Sequence, residues 1–131
     1  MIGLDTNVLV RYLTQDDPQQ SARANNLIET QCTKNEPGWI ALIVLCELVW
    51  VLRGAYNYKK SLVIYTLEQI LTASELEVEN VPIARLALEA YRTGPADFAD
   101  YIIATINSIA GCQATYSFDQ KLAQYHSVRM P

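Results

Sequence analysis

Histidine and cysteine are scarce in this chain of 131 residues, and their scarcity excludes several kinds of chemistry. The only histidine is His126, so neither a histidine-rich zinc site nor a Ser-His-Asp or Cys-His nucleophile has the groups that it requires. The three cysteines, Cys32, Cys46 and Cys112, are widely spaced without a Cys-x-x-Cys pair, which fits a reducing cytoplasm. Chemistry in this chain is therefore expected to run on carboxylates.

The chain also lacks long apolar runs, internal repeats and linkers. The apolar run from Ile40 to Cys46 is broken by Glu47, well short of the ~20 residues that a membrane-spanning helix needs. Met1 to Leu4 leads directly to Asp5, without the basic region and cleavage site of a secretory signal. We therefore expect a cytoplasmic protein with no membrane partner, folded as a single domain over residues 1–131.

Basic residues are too few to make the chain positive. A net charge of −4 argues at first against nucleic acid, because it would repel a phosphate backbone. If four acids at a proposed site are set aside, however, the ten acidic residues that remain balance the ten Lys and Arg residues. These four acids are Asp5, Glu47, Asp100 and Asp119. The negative excess therefore equals the charge of one site, and bound divalent cations would neutralise it.

Short apolar segments and helical apolar periods alternate along the chain. The segments predict strands at Met1–Leu4, Trp39–Ile40, Leu76–Val81 and Ala114–Tyr116. Because strands separated by helices pair in parallel, this alternation predicts an α/β fold with a mostly parallel central sheet flanked by helices.

Two predicted helices lie in the C-terminal third of the chain. The first covers Asp97 to Ala110, after the helix break at Gly94-Pro95, and the second covers Ser117 to Gln124. In the first helix, four isoleucines are expected to face the core, namely Ile102, Ile103, Ile106 and Ile109.

Carboxylates follow the predicted strands. Asp5 comes directly after the first strand, and Asp119 lies in the first turn after the strand Ala114–Tyr116. Because the carboxyl ends of parallel strands share one edge of a sheet, these two carboxylates are expected to converge. Asp100 lies in the first turn of the helix that follows Gly94-Pro95. The sequence therefore predicts an acidic crevice.

Glu47 is a carboxylate inside an otherwise apolar helix, where charges are rarely buried unless they are paired or bind metal. The alternative is an ion pair with Arg53 or Lys121. Like charges ~4 Å apart repel by about 4 kcal/mol at an effective dielectric constant of ~20, so clustered carboxylates need a cation. Oxygen ligands favour Mg²⁺ or Mn²⁺ over zinc, and such a site suits phosphodiester hydrolysis.

Four segments of the chain resemble the acidic motifs of PIN-domain proteins. They are Ile2–Leu9, Glu47–Leu52, Asp97–Ala104 and Ser117–Leu122, and they occur in the family's order over nearly the whole chain. Within that family, the chain closely resembles the VapC toxins of bacterial toxin–antitoxin pairs.

The resemblance implies a three-layer α/β/α fold and magnesium-dependent RNA cleavage, with manganese as a substitute ion. It further implies that Asp5 and Asp100 are the main metal ligands, with Glu47 and Asp119 completing the acidic set. A homodimer and a cognate antitoxin that covers the active-site groove are also implied.

Polar residues beside the acids match supporting positions of the family. The resemblance implies that Thr6 or Asn7, and Ser117, hold a carboxylate or a water. Asp97 and Asp100 both fit the third motif, and Asp100 is chosen as the ligand because it immediately precedes the apolar run Tyr101–Ala104.

The acids also have structural alternatives. Asp5 and Asp97 are well placed to cap the helices that follow them. Ser117 and Gln120 have the spacing of a capping box, in which Asp119 would only complement the helix dipole.

Two other functions fit parts of the pattern. A magnesium-dependent phosphatase of the haloacid dehalogenase type also has an acid after its first strand, but it needs a second Asp where this chain has Asn7. A catalytically inactive PIN-fold interaction module is the other alternative, and retention of all four acids argues against it.

Overall fold

The structure is a computed structural model that describes every residue from Met1 to Pro131. It divides into two compact units, Met1–Val81 and Pro82–Pro131, and each unit has its own parallel sheet. None of the helices has the length and apolar character required to cross a membrane.

The first unit contains a three-stranded parallel sheet in the order β1-β2-β3. Its strands are β1 (Ile2–Gly3), β2 (Gly38–Ile40) and β3 (Leu76–Val78). Helices α1 (Thr6–Thr14) and α2 (Pro18–Gln31) connect β1 to β2, and helices α3 (Leu42–Gly54) and α4 (Lys60–Thr72) connect β2 to β3. The carboxyl ends of all three strands therefore lie at one edge of this sheet.

Close packing around β2 explains why a glycine lies at position 38. A Cβ atom added to Gly38 would lie 2.7 Å from Leu4 Cδ1 and 2.8 Å from Cys32 Sγ, so a larger residue would require these buried side chains to shift. Cys32 is buried as a free thiol, and burial raises its pKa. Helix α3 closes this core with Leu45, Leu48 and Leu52, which are almost fully buried.

The second unit contains helices α5 and α6 and a two-stranded parallel sheet. Its elements are α5, which starts at the boundary (Val81–Thr93), α6 (Phe98–Ile109), β4 (Thr115–Tyr116), a 3-10 turn (Leu122–Gln124) and β5 (Val128–Arg129). Aromatic rings pack edge to face in its core, with centroids 5.9 Å apart for Tyr91 and Phe98 and 5.3 Å apart for Tyr101 and Tyr125.

The predicted α/β class, with parallel strands and flanking helices, is confirmed. The predicted helix over Ser117–Gln124 is wrong, since only Leu122–Gln124 forms a 3-10 turn. Strand β5 was not predicted, because Val128 lies between the polar residues Ser127 and Arg129 and forms no apolar segment. Parallel pairing with β5 lets Ser117 N–H donate to Arg129 O at 3.0 Å, which holds residue 117 at the strand end rather than in a helix.

The predicted orientation of α6 is largely wrong. Ile102 is buried, but Ile103, Ile106 and Ile109 are 50%, 40% and 58% exposed. Helix α6 carries apolar residues around most of its circumference, so hydrophobic periodicity does not distinguish its buried face from its exposed one. The second unit therefore presents an exposed face of three isoleucines.

Candidate active site

Asp5 lies beyond the carboxyl end of β1 and occupies the N-cap position of α1. Its backbone carbonyl accepts from Val8 N–H at 3.1 Å and Leu9 N–H at 3.4 Å, but its side chain makes no capping hydrogen bond. The capping role considered for this carboxylate is therefore absent. The side chain is exposed and available to a ligand.

Glu47 is exposed in the structure, so the expectation that α3 buries it is wrong. It shares the outer face of α3 with Ile43 and Trp50, which are also exposed. Apolar neighbours in sequence therefore do not enclose this carboxylate. The ion pair considered with Arg53 is absent as well, because Arg53 Nη1 donates to Tyr58 O at 3.1 Å.

Thr6 connects α1 to the Glu47 carboxylate. Its hydroxyl donates to Glu47 Oε1 at 3.0 Å, and its side chain is buried, with 6% exposure. The first turn of α1 therefore orients Glu47 on α3. This is the kind of contact predicted for Thr6, although its role beside a metal stays a prediction. Asn7, the other residue considered, is exposed on the same turn.

A Thr6→Val variant tests whether this hydrogen bond serves a metal site. Valine keeps the volume of threonine but removes the donor, and exposed Glu47 can then bond to water, so the free energy of unfolding should change by less than ~1 kcal/mol. Loss of a partner that orients a ligand typically costs ~10–100-fold in metal affinity. We expect the Kd for Mg²⁺, measured by titration calorimetry, to rise about tenfold, whereas Thr6→Ser should resemble the wild type. Equal Kd values for Mg²⁺ in both variants would contradict this role.

Glu79 is a further carboxylate at the edge of the first unit's sheet where the strands end, and no motif in the sequence indicates it. It follows β3, and its Oε1 accepts from Leu42 N–H at 3.0 Å. This bond satisfies a free amide at the start of α3, which lacks a side-chain cap of its own. The alternation of apolar and acidic residues after Leu76 predicts a strand, and a strand pattern does not indicate that Glu79 accepts a hydrogen bond from the start of α3.

In the second unit, Asp97 and Asp100 form a reciprocal capping box at the start of α6. Asp97 Oδ1 accepts from Phe98 N–H at 2.9 Å, and Asp97 N–H donates to Asp100 Oδ2 at 3.3 Å. The interpretation of Asp97 as a helix cap is confirmed. This cap also orients the Asp100 carboxylate, because one of its oxygens accepts the Asp97 amide hydrogen.

A close approach between Gly94 and Tyr101 determines where α6 begins. Tyr101 is 1% exposed, and its hydroxyl oxygen accepts from Ala96 N–H at 3.1 Å. A Cβ atom on Gly94 would overlap that hydroxyl and lie 2.7 Å from Tyr101 Cζ. Glycine therefore allows the turn that delivers Asp97 and Asp100 to the first turn of the helix.

Asp119 caps the turn that follows β4. Its Oδ1 accepts from Lys121 N–H at 2.8 Å and Leu122 N–H at 3.3 Å. Asp119 N–H in turn donates to Ser117 Oγ at 3.0 Å. The predicted capping box between Ser117 and Gln120 is therefore wrong, and Asp119 is itself the capping residue. Its carboxylate is exposed, and Oδ2 makes no hydrogen bond.

Asp100 is the acid whose surroundings most oppose ionisation. Partial burial raises its pKa above the usual 3.8, and the charges of Asp97 and Asp119 raise it further, while the Asp97 amide hydrogen bond acts in the opposite direction. Asp97 and Asp119 are therefore near enough to Asp100 to oppose its ionisation. A cation beside Asp100 would relieve that repulsion.

Asp100→Asn is expected to make the metal-free protein more stable at neutral pH. Because the pKa of folded Asp100 is raised, its contribution to stability is fully present below pH 3.8 and is lost as pH rises through the raised value. Removing the charge at pH 7 should raise Tm by a few degrees, and the gain should shrink as pH approaches 4. Thermal unfolding at both pH values measures this, with Glu29→Gln on exposed α2 as the control. A lower Tm for Asp100→Asn at pH 7 would contradict it.

The structure brings the predicted acidic set together only in part. In the second unit Asp100 lies near Asp97 and Asp119, whereas in the first unit Glu47 is held by Thr6 and no contact joins it to Asp5. No group of three or more Asp, Glu, His or Cys side chains is arranged closely enough to hold a metal ion. The chemistry of these donors nevertheless fits a hard divalent cation, since all are oxygens and Asp100 lacks charge compensation.

The fold and the site together define the class of this protein. It is an α/β protein with parallel sheets, and carboxylates follow its strands. The chain matches the PIN domain family over residues 2–127 and belongs to that family. The predicted resemblance to PIN domains is confirmed. PIN domains are typically metal-dependent nucleases. A comparison with curated proteins gives no match.

Proposed function

We propose that this chain is a magnesium-dependent ribonuclease that hydrolyses RNA phosphodiester bonds, with Mn²⁺ as a substitute ion. The observation that carries the proposal is membership of the PIN domain family over residues 2–127, which supports nuclease chemistry. The partly buried Asp100, whose ionisation is opposed by Asp97 and Asp119, supports a cation at this point. Such a carboxylate is destabilising without a cation, which is the expected cost of a prepared metal site.

In this proposal Asp5 and Asp100 are the main metal ligands, and Glu47 and Asp119 complete the acidic set. These carboxylates would hold Mg²⁺, which would supply a positioned water and charge neutralisation for phosphodiester hydrolysis. The free carboxylate of Asp5 and the free Oδ2 of Asp119 support these roles, because neither is occupied by a protein donor. Water is the nucleophile, which agrees with the lack of a His-activated side chain.

Four further residues position the acids in this proposal. Thr6 holds Glu47 through its hydroxyl, and Asp97 holds Asp100 through its backbone amide. Ser117 fixes the backbone of Asp119. Asn7 is exposed in the first turn of α1, next to Thr6, and holds a bound water in this proposal.

We further propose that the chain acts in the cytoplasm as the toxin of a toxin–antitoxin pair, as a homodimer whose groove is covered by a cognate antitoxin. The similarity of the four acidic motifs to VapC toxins supports this role. Ile103, Ile106 and Ile109 form an exposed apolar face of the kind that a contact between copies would bury. Three cysteines without a disulfide fit a reducing compartment.

The substrate is tested by incubating the purified chain with end-labelled single-stranded RNA and with DNA of the same sequence in Mg²⁺. We expect the RNA to be cut internally and the DNA to stay intact. Cleavage of DNA alone would refute the ribonuclease assignment. Intact RNA and DNA in both Mg²⁺ and Mn²⁺, with a chain that still binds a protein partner, would favour the inactive interaction module instead.

A further inference from the structure

A groove of about 480 Å³ lies between α1 and α2 of the first unit. Helix α1 contributes Asn7, Val8 and Arg11, which lie one turn apart or less. Helix α2 contributes one face along most of its length, namely Gln20, Arg23, Ala24, Asn26, Leu27, Thr30 and Gln31. The volume is typical of sites that hold small organic ligands, which includes a single nucleotide.

The charge of this groove is opposite to that of the chain. Arg11 and Arg23 line it, and no Asp or Glu does, although the chain carries a net charge of −4. Arg11 is held in place, since its Nε donates to Gln20 Oε1 at 2.7 Å and its Nη1 to Tyr56 Oη at 3.0 Å. Asp16 accepts from Arg11 Nη1 at 3.2 Å and offsets part of that charge.

Arg23 is the uncompensated cation of the groove. It is exposed on α2 and has neither an ion pair nor a hydrogen bond to the protein through its side chain. Asn7 and Asn26 are likewise exposed, with side-chain amides that make no protein hydrogen bond. Val8 and Leu27 supply apolar surface between these polar groups. A guanidinium, free amides and an apolar floor together suit a phosphate attached to a planar base.

The groove adjoins the proposed metal site along the chain. Asn7 lines it and is two residues from Asp5, on the turn whose Thr6 hydroxyl holds Glu47. A strand with its reacting phosphate at Asp5 would therefore have a neighbouring nucleotide within reach of α1 and α2.

We propose that the α1–α2 groove binds a nucleotide of the RNA substrate beside the scissile bond, with Arg23 on its phosphate and the amides of Asn7 and Asn26 on its base or ribose. This proposal rests on the proposed ribonuclease function. It adds a contact with the RNA that lies outside the four acidic residues. It also explains how an acidic chain holds RNA, because the strand meets cationic and amide groups rather than the carboxylates alone.

The test compares Arg23→Ala with Arg85→Ala, which removes the same charge from an exposed, unpaired arginine on α5. Binding of a fluorescent single-stranded RNA is measured in chelator, so that no cleavage is needed. We expect Arg23→Ala to weaken RNA binding about fivefold. The slope of log affinity against log salt concentration should also fall by about 1, the value for one phosphate contact. Arg85→Ala should leave both the affinity and the slope unchanged. With Mg²⁺, Arg23→Ala should raise KM and leave kcat within twofold.

The possible outcomes test the groove assignment and the nuclease assignment separately. Equal RNA affinities for Arg23→Ala and Arg85→Ala would overturn the groove assignment even if the wild type cleaves RNA. Arg23-dependent RNA binding without any cleavage would support the groove and refute the nuclease. A nucleoside 5′-monophosphate that binds as tightly as the RNA, with the same Arg23 dependence, would show a free-nucleotide site and overturn the RNA assignment. Circular dichroism of both variants checks that the fold is retained.

Discussion

Asp5→Asn and Asp100→Asn should each lower RNA cleavage by more than about 100-fold, because each removes a proposed main metal ligand. Residues that only orient a ligand already cost ~10–100-fold in metal affinity or activity when they are changed, so a ligand should cost at least as much. Asparagine keeps the shape of the side chain and one acceptor oxygen, which can still accept the Asp97 amide hydrogen in the second variant. The initial rate of cleavage of a labelled RNA measures the effect.

Measurement of Tm shows whether a loss of cleavage by these variants comes from a lost ligand or from unfolding. Asp100→Asn should be inactive yet have a Tm at least as high as that of the wild type, since its charge opposes folding at neutral pH. Glu29→Gln removes an exposed carboxylate outside the acidic set and should keep full activity. Cleavage within a few-fold of wild type by both Asp5→Asn and Asp100→Asn would refute the proposed mechanism.

Gly94→Ala should be the most damaging single methyl addition in the second unit. The new Cβ would overlap the Tyr101 hydroxyl and lie 2.9 Å from Ala90 O, so a nearly fully buried ring must move. Overpacking of this kind costs roughly 1–3 kcal/mol, and Tm should fall by several degrees. Because Tyr101 also anchors Ala96, the start of α6 should shift with Asp97 and Asp100, and kcat should fall in the protein that remains folded.

Gly54→Ala is the matched control, because a Cβ atom at Gly54 meets nothing within 4 Å. At the end of α3, alanine should leave Tm unchanged or raise it slightly. Tyr101→Phe combined with Gly94→Ala should recover part of the lost stability, since the hydroxyl that makes the closest overlap is gone. Equal Tm values for Gly94→Ala and Gly54→Ala would show that Gly94 does not determine this turn.

Local patterns predicted much of the fold. The alternation of short apolar segments with helical periods identified four strands, and the apolar residues around Glu47 identified the helix that the structure has as α3. The Asp97 cap was considered on the same basis, because capping depends on a few neighbouring residues. These features need no knowledge of distant contacts, which is why sequence alone is sufficient for them.

Features that depend on distant contacts were not predictable in this way. Helices α3 and α6 are apolar around most of their surface, so the exposure of Glu47 and Ile103 is decided by tertiary packing rather than periodicity. The turn after β4 was expected to be helical, but pairing of β4 with β5 and the Asp119 cap determine it. The hydrogen bond from Thr6 to Glu47 spans 41 positions, and the resemblance implied only that Thr6 or Asn7 holds a carboxylate or a water.

The central claim is that divalent metal is required for cleavage of RNA by this PIN domain. The most direct measurement is the rate of RNA cleavage by the wild-type chain in excess chelator and again after Mg²⁺ or Mn²⁺ is restored, with Asp5→Asn measured in parallel. We predict that chelator abolishes cleavage, that either ion restores it in the wild type, and that neither ion restores it in Asp5→Asn. Undiminished cleavage by the wild type in excess chelator would contradict the claim.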